Sequence, residues 1–207
     1  MAAKTSRLAR FTNLEFVLGA SLTTIICLAV LFSDVLFPGG ADKIDLMARL
    51  AKPFANAAHP LGTDPLGRDV LARVVAGGKI SLLVGFTSGI GAVIFGVAVA
   101  LVAGYYRGFW DMLVMRFADI QLAMPFILLA ITFIAIVGGS LTNTIILLIV
   151  SQWVQYARLV RGSVLTLRER EFILSARAIG VKDWRIILQH LLPNLIGPVL
   201  VLMPRTV

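Results

Sequence analysis

The chain has 207 residues, 58% of them hydrophobic and only 14% charged, with a mean hydropathy of +0.91 and a formal net charge of +8. A soluble domain keeps roughly a quarter of its residues charged, so this composition argues against one soluble core and for several membrane spans. The positive excess would suggest nucleic acid in a soluble protein; in a membrane protein, lysines and arginines that hold loops in the cytoplasm account for it. Cys27, the one cysteine, lies in an apolar run and reads as a packed apolar residue.

Residues 1–13 are short and basic, with Lys4, Arg7 and Arg10. An apolar run from Phe16 to Phe37 follows, long enough at about 1.5 Å per residue to cross a hydrocarbon core of about 30 Å. A cleavable signal peptide is the alternative, but its apolar region would be shorter and end in a small-residue cleavage site. About forty mixed residues, 38–79, are too polar to cross. Three more spans are expected over Ile80–Gly104, Met112–Val137 and Leu141–Val164, joined by the tight loops "YYRGFWD" and "VGGSLTN". Helices are the form these runs must take, because lipid offers no partner to backbone polar groups. The distribution of Lys and Arg favours a cytoplasmic amino terminus, which also puts Arg107 and the cluster from Arg158 to Arg185 inside. The six basic residues of 38–79 weaken that signal. The last apolar stretch, "LLPNLIGPVLVLM", offers about thirteen residues where a crossing needs about twenty. The expected fold is therefore an all-α polytopic membrane protein, four complete transmembrane helices plus a partial fifth. Its parts are a cytoplasmic segment at 1–13, a first span with an extracytoplasmic loop at 14–79, and a transmembrane core at 80–207.

Ser88, Ala92, Gly96, Ala100 and Gly104 recur every four residues and stack small side chains on one helix face. Chance is one reading, since small residues are common in spans. The other is a tight helix–helix seam, within the chain or with a partner subunit. In the next span Arg116 and Asp119 are three apart and can meet on one face, as an anchor near the headgroups or at a subunit interface. Pro125 removes a backbone hydrogen bond and predicts a bend.

Catalytic, cofactor and metal signals are missing. "AGGKIS" at 76–81 lacks the upstream glycine and the Ser/Thr after Lys79 of a phosphate-binding loop. His59 and His190 are far apart in sequence and read as structural. An enzyme is not expected, and any energy must come from another chain or an ion gradient.

The stretch "SARAIGVKDWRIILQHLLPN", Ser175 to Asn194, interrupts this apolar chain with a polar two-helix elbow. Its first helix is expected to continue from the fourth span through "YARLVRGSVLTLREREFILSARAIG". Gly180 predicts a left-handed cap, and Asp183 a cap on the second helix. Trp184, Ile187, Leu188 and Leu191 fall at i, i+3, i+4 and i+7, giving that helix an apolar face up to Pro193. A DNA reader would need its second helix free to enter a groove. This one runs straight into apolar sequence, so a knob that docks in a protein groove fits better.

The elbow resembles the "EAA" coupling loop of ABC importer permeases, in which EAA, three residues and Gly precede Leu-Pro by about a dozen residues. Ser175, Ala176, Gly180, Leu192 and Pro193 match or nearly match, while Leu174 stands where the family has glutamate. "HPLGTDPLGRDVLARVVAGGKISLLVG" (His59 to Gly85), "MRFADIQLAMPFILLAI" and the segment leading into the elbow are similar to the C-type permeases for dipeptides, oligopeptides and nickel. The likeness covers nearly the whole chain. It implies the type I importer (MetI-like) fold in a bacterial inner membrane. It also implies a second permease subunit, two cytoplasmic ATPase subunits that use the ATP, an extracytoplasmic binding protein, and no cofactor or nucleic acid on this chain. The coupling loop at about 165–193 would sit in an ATPase groove, with Ser175, Ala176, Arg177, Gly180, Asp183 and Pro193 at the contact. Ala176 and Gly180 would permit close backbone approach.

In the loop before the second span, Asp64 followed by Pro65 reads as a helix cap, and Asp69 and Arg73 as an i, i+4 pair. Family members run to about six spans, and this chain stops inside the fifth, which raises the expectation of a truncated chain and the question of its activity. A secondary transporter or channel that needs no ATPase is the competing reading. The motifs are common to peptide and nickel systems and do not choose the solute.

Overall fold

A computed structural model describes residues 14–202 of the chain. Lys4, Arg7 and Arg10, and the terminal "MPRTV", lie outside the described residues. Nine α-helices account for most of them: α1 (Leu14–Leu31), α2 (Ser33–Leu36), α3 (Val70–Tyr106), α4 (Gly108–Ala123), α5 (Phe126–Val137), α6 (Leu141–Leu167), α7 (Glu171–Ala178), α8 (Asp183–Arg185) and α9 (Leu192–Leu202). A 3₁₀ turn covers Leu46–Ala48, and a π-helical turn, Ile186–Leu191, joins α8 to α9. Among the described residues, β structure is confined to three isolated bridges in the loop before α3. The chain divides into two compact units, 1–82 and 83–207, with the boundary inside α3.

In the first unit, α1 meets the start of α3 where Gly78 leaves room for Val30, and Lys79 pairs with Asp34 at 2.8 Å. The loop between them is held by side chains rather than by strands. Asp64 does not cap a helix as expected. Its Oδ1 accepts from the amides of Leu66 (2.8 Å) and Arg68 (3.0 Å), and its Oδ2 takes Arg68 and Arg73 at 2.8 Å each. A short polar side chain closes its own turn in this way more readily than it starts a helix across Pro65 and Gly67. The cap is Asp69, whose Oδ1 accepts from the amide of Ala72 at 3.0 Å and whose Oδ2 pairs with His59 at 2.9 Å. The expected Asp69–Arg73 pair is thus replaced: each takes a nearer partner in the loop. The helix consequently begins ten residues before the span expected from hydropathy, because Arg73 and Lys79 end an apolar run without ending a helix.

Hydrogen bonds from the Arg68 amide, its guanidinium and the Leu66 amide hold the Asp64 carboxyl at about 2, below the usual 3.8. A carboxylate held low stabilises the fold above its ordinary value, and that contribution disappears as pH falls through the folded one. Amide exchange at Leu66 and Arg68 is therefore expected to stay slow at pH 5 and to accelerate between about pH 4 and 2. The Asp64→Asn chain is expected to show no such acid step, and an identical step in it would remove Asp64 as the cause.

In the second unit the small-residue stripe of α3 packs on α6. Ala92 and Ala100 are fully buried and Ser88 nearly so. A Cβ at Gly96 would stand 2.6 Å from the Trp153 carbonyl oxygen and 2.9 Å from Tyr156 Cβ, and one at Gly104 3.0 Å from Val164 Cγ1. The seam lies within the chain: at Gly96 the α3 backbone closes on the backbone of α6, and at Gly104 it closes on the Val164 side chain.

The expected third span is not one helix. Met124, before Pro125, is extended (φ −89°, ψ 131°), and α4 and α5 meet at 99°. The proline ring clashes with helical geometry at the preceding residue, so the chain breaks rather than bends. Among the described residues, α3 alone is long and apolar enough to cross a bilayer by itself; α4 and α5 qualify only together, and Phe16–Leu31 is shorter. The 37 residues of α3 reach about 55 Å, well beyond a hydrocarbon core of about 30 Å. α6 has the length but carries Ser151, Gln152, Gln155, Arg158 and Arg161 from its middle onward.

Candidate functional site

The elbow is built from the end of α6, α7, the turn at Gly180, and the run α8–π turn–α9. α6 does not continue into α7: it stops at Leu167, and Arg170 is extended (ψ 146°) before α7 begins. Arg168 explains the stop, because its guanidinium turns back to the carbonyl oxygens of Tyr105 (2.6 Å) and Gly104 (3.4 Å) at the end of α3. Carbonyls at a helix C-terminus lack intrahelical partners and carry partial negative charge, so a guanidinium satisfies both needs. Gly180 takes φ +80° and its amide bonds to the Arg177 carbonyl, closing α7 in the left-handed region that a side chain would strain.

Tyr105, almost fully buried, joins the parts. Its hydroxyl donates to Asp183 Oδ1 at 2.5 Å and accepts from Arg177 Nε at 3.3 Å, and the Arg177 guanidinium stacks 4.6 Å from the ring centre. The α6 end, α7 and α8 each therefore send one charged side chain to a single residue of α3. Asp183 is not the expected cap: Lys182 holds the N-cap position without a side-chain bond. The Asp183 carboxylate is instead used by Tyr105. Nothing in the sequence pattern marked Tyr105.

The apolar face of the second arm also differs from expectation. Ile186, Leu191, Leu195 and Val199 are buried, while Trp184 and Leu188 are exposed. The π turn is the reason: a step of five residues from Ile186 to Leu191 replaces the α-helical four and rotates the face. The amide of Leu192 bonds to Ile187, five residues back. Pro193 has no amide to donate, and a π bulge is one way a helix absorbs the missing bond. Pro193 lies within the first turn of α9, so the helix passes through it.

These packing facts sort the expected contact residues. Ala176 is buried against the elbow's own core with Ile173 and Ile186, and Arg177 is held on Tyr105. The Ala176 side chain is thus used by the chain's own packing. Ser175 and Gly180 are exposed. Around them Phe172, Leu174 (51% exposed), Ile179 (81%) and Trp184 (52%) present apolar side chains outward.

α6 is also tied to α4. Arg161 makes two bonds to Asp111, at 2.5 and 2.6 Å, and Arg158 bonds to Asp119 at 2.6 Å. Trp153 Nε1 donates to Gln121 at 2.9 Å, and Gln121 donates to the Val150 carbonyl at 2.7 Å. The expected Arg116–Asp119 pair does not form: the longer reach of Arg158 across the helix interface takes the carboxylate, and Arg116 is exposed. The missed signal was opposite charges in two neighbouring apolar segments. Asp111→Leu is expected to destabilise the chain by about 2 kcal/mol, since it leaves the part-buried Arg161 uncompensated. Asp111→Leu with Arg161→Leu should recover part of that loss. Thermal aggregation midpoints of the two variants check this, and an equal loss in both would contradict it.

A mostly helical chain with a braced polar elbow on its α3–α6 seam fits a transport permease. Residues 92–207 match the family described as "Binding-protein-dependent transport system inner membrane component". The chain belongs to that family of membrane transport permeases, which are not enzymes, and its resemblance to ABC importer permeases of the peptide group is shown by its relatives. It is 43% identical over 185 residues to the dipeptide transport system permease protein DppC of Alkalihalophilus pseudofirmus, covering 89% of this chain and 60% of that protein. It is 36% identical over 193 residues to the glutathione transport system permease protein GsiD of Pectobacterium atrosepticum (93% and 64%). To the protein of that name from Escherichia coli it is 39% identical over 194 residues (93% and 63%). The chain thus spans less than two thirds of the length of these relatives.

Proposed function

We propose that the chain is a translocating subunit of an ATP-driven importer for small peptides, and that the elbow couples it to a separate cytoplasmic ATPase. The observation that carries this reading is the pairing of a braced frame with an open apolar face. Three charged side chains lock the elbow to Tyr105, while Phe172, Leu174, Ile179 and Trp184 face outward. A surface of that kind on a chain of low charge fits a protein groove, and bracing lets a push on it move α3 and α6 as one body. ATP is consumed by the partner, and this chain holds no cofactor.

In this reading residues 1–13 are cytoplasmic and 14–79 form the first crossing with its extracytoplasmic loop. The core, 80–207, carries the coupling loop at about 165–193. The crossings are α1, α3, the broken pair α4–α5 and α6, with α9 opening a fifth in the MetI-like arrangement. A second permease subunit, a second ATPase subunit and an extracytoplasmic binding protein complete the assembly in the bacterial inner membrane. Peptides are the solutes supported by the relatives' names, dipeptide and glutathione; nickel, the other expectation, draws no support from them. Purification of the tagged chain from its own host in mild detergent tests the reading. An ATPase is expected to accompany it in near-equal amount, and repeated isolation without one would count against coupling.

A further inference from the structure

Away from the elbow, two exposed charged side chains of the second unit meet between α4 and α6. Asp119 on α4 and Arg158 on α6 bond to each other at 2.6 Å, yet 56% and 48% of these side chains are accessible. With Met115 and Arg161 they line an open recess of about 500 Å³. The recess is set well back from the elbow: Arg158 lies nine residues before Leu167 and Asp119 eleven after Gly108, about 14 and 16 Å along their helices. Ionisable groups at such depth face protein or water, since hydrocarbon would have to accept unpaired hydrogen-bonding capacity.

The exposed face of α6 extends the polar surface. Gln155, Arg158, Gly162 and Thr166 follow at intervals of three or four and all are exposed. One turn earlier, Gln152 Oε1 is buried with no protein partner, a group that a water molecule would satisfy. A second protein pressed onto this face would have to desolvate Arg158, Asp119 and the exposed Arg116, ions that are costly to take out of water. A water-filled space demands no such desolvation.

We propose that this recess lines a watery passage and meets solutes that carry both an ammonium and a carboxylate group. Arg161 is engaged by Asp111 through two bonds, which leaves Arg158 and Asp119 as the pair able to part. A zwitterion can place its carboxylate on Arg158 and its ammonium on Asp119, exchanging one ion pair for two at no change in net charge. The exchange is close to balanced, so the solute is held briefly and released. The proposal rests on the transport reading and names where in this chain the solute passes.

The test uses the full chain with its natural partners in inside-out membranes, in a Cys27→Ser background, with Met115→Cys or Gln155→Cys as reporter. Both thiols are expected to react with a charged methanethiosulfonate at least about tenfold faster than the apolar-face control Ile146→Cys, because thiolate forms only where water reaches. Dialanine at millimolar concentration should slow both reactions, and N-acetyl-dialanine amide, which lacks both charges, should not. Arg158→Gln should abolish protection at the Gln155→Cys reporter; the Met115→Cys reporter, with the pair intact, stays decisive if that variant accumulates poorly. Unreactive thiols in the assembled complex would overturn the passage, and equal effects of the two dialanine compounds would overturn the solute class. Unreactive thiols in a complex that still holds its ATPase count against this recess alone.

Discussion

Gly96→Val is expected to be the most destabilising single change in the second unit, at about 3 kcal/mol. The first added carbon already stands 2.6 Å from the Trp153 carbonyl oxygen and 3.3 Å from the Ala157 nitrogen, and neither can move without shifting α6. Two effects oppose each other at this site. Replacing a helical glycine by alanine gains about 0.5–1 kcal/mol in backbone entropy, while forcing atoms into a packed interface costs about 1–3. The second wins because the obstacle is backbone, so Gly96→Ala is also expected to be destabilising. Gly162, where an added Cβ meets nothing within 4 Å, provides the contrast: Gly162→Ala should leave the chain as stable or slightly more so. Thermal aggregation midpoints in one detergent rank the three variants, and a Gly96→Ala chain as stable as its parent would remove the close seam from the account.

Ile179→Asp is expected to release the ATPase while leaving the amount of chain in the membrane unchanged. Ile179 is 81% exposed and follows the last residue of α7, so a carboxylate there disturbs no packing within the chain. Placed in an apolar protein groove it would forfeit the burial of one large side chain, about 1.5–3 kcal/mol, and add the desolvation of a charge. Together these predict a loss of association of a hundredfold order or more. Ala176→Asp would also abolish association, but by unfolding the elbow, since Ala176 is buried among Ile173 and Ile186. Membrane content separates the two: it should be kept in Ile179→Asp and fall in Ala176→Asp. Retained ATPase with Ile179→Asp would mean that docking uses another surface.

The helical character of the chain was legible because apolar runs that long admit no other form in lipid. The four-residue stripe of α3 was visible for the same kind of reason: spacing alone puts Ser88, Ala92, Gly96, Ala100 and Gly104 on one face. Gly180 could be read because a left-handed residue is a local requirement. What escaped depends on atoms far apart in sequence. Asp119 had a suitable neighbour at Arg116, and only the approach of α6 gave it to Arg158. Tyr105 looked like an aromatic residue at a span end, and its role comes from three arginine and aspartate side chains that converge from 63 to 78 residues away. The apolar face of the second elbow arm departs from a 3.6-residue period because a π turn interrupts it, and the cause of that turn, Pro193, lies beyond it. At Met124–Pro125 the sequence implies a bend and the structure has a break, since the sequence names the proline but not whether neighbours hold the two halves in line.

Cysteine crosslinking on the elbow, in a Cys27→Ser background and in the assembled complex, tests coupling most directly. Ser175→Cys and Ile179→Cys, on the open face, are expected to join the ATPase through a short bifunctional reagent, and Ala176→Cys, buried between them in sequence, is expected not to. Absence of any ATPase adduct from 175 and 179, or adducts from 176 in preference to them, would contradict a braced elbow that delivers the motor's stroke through its outer face.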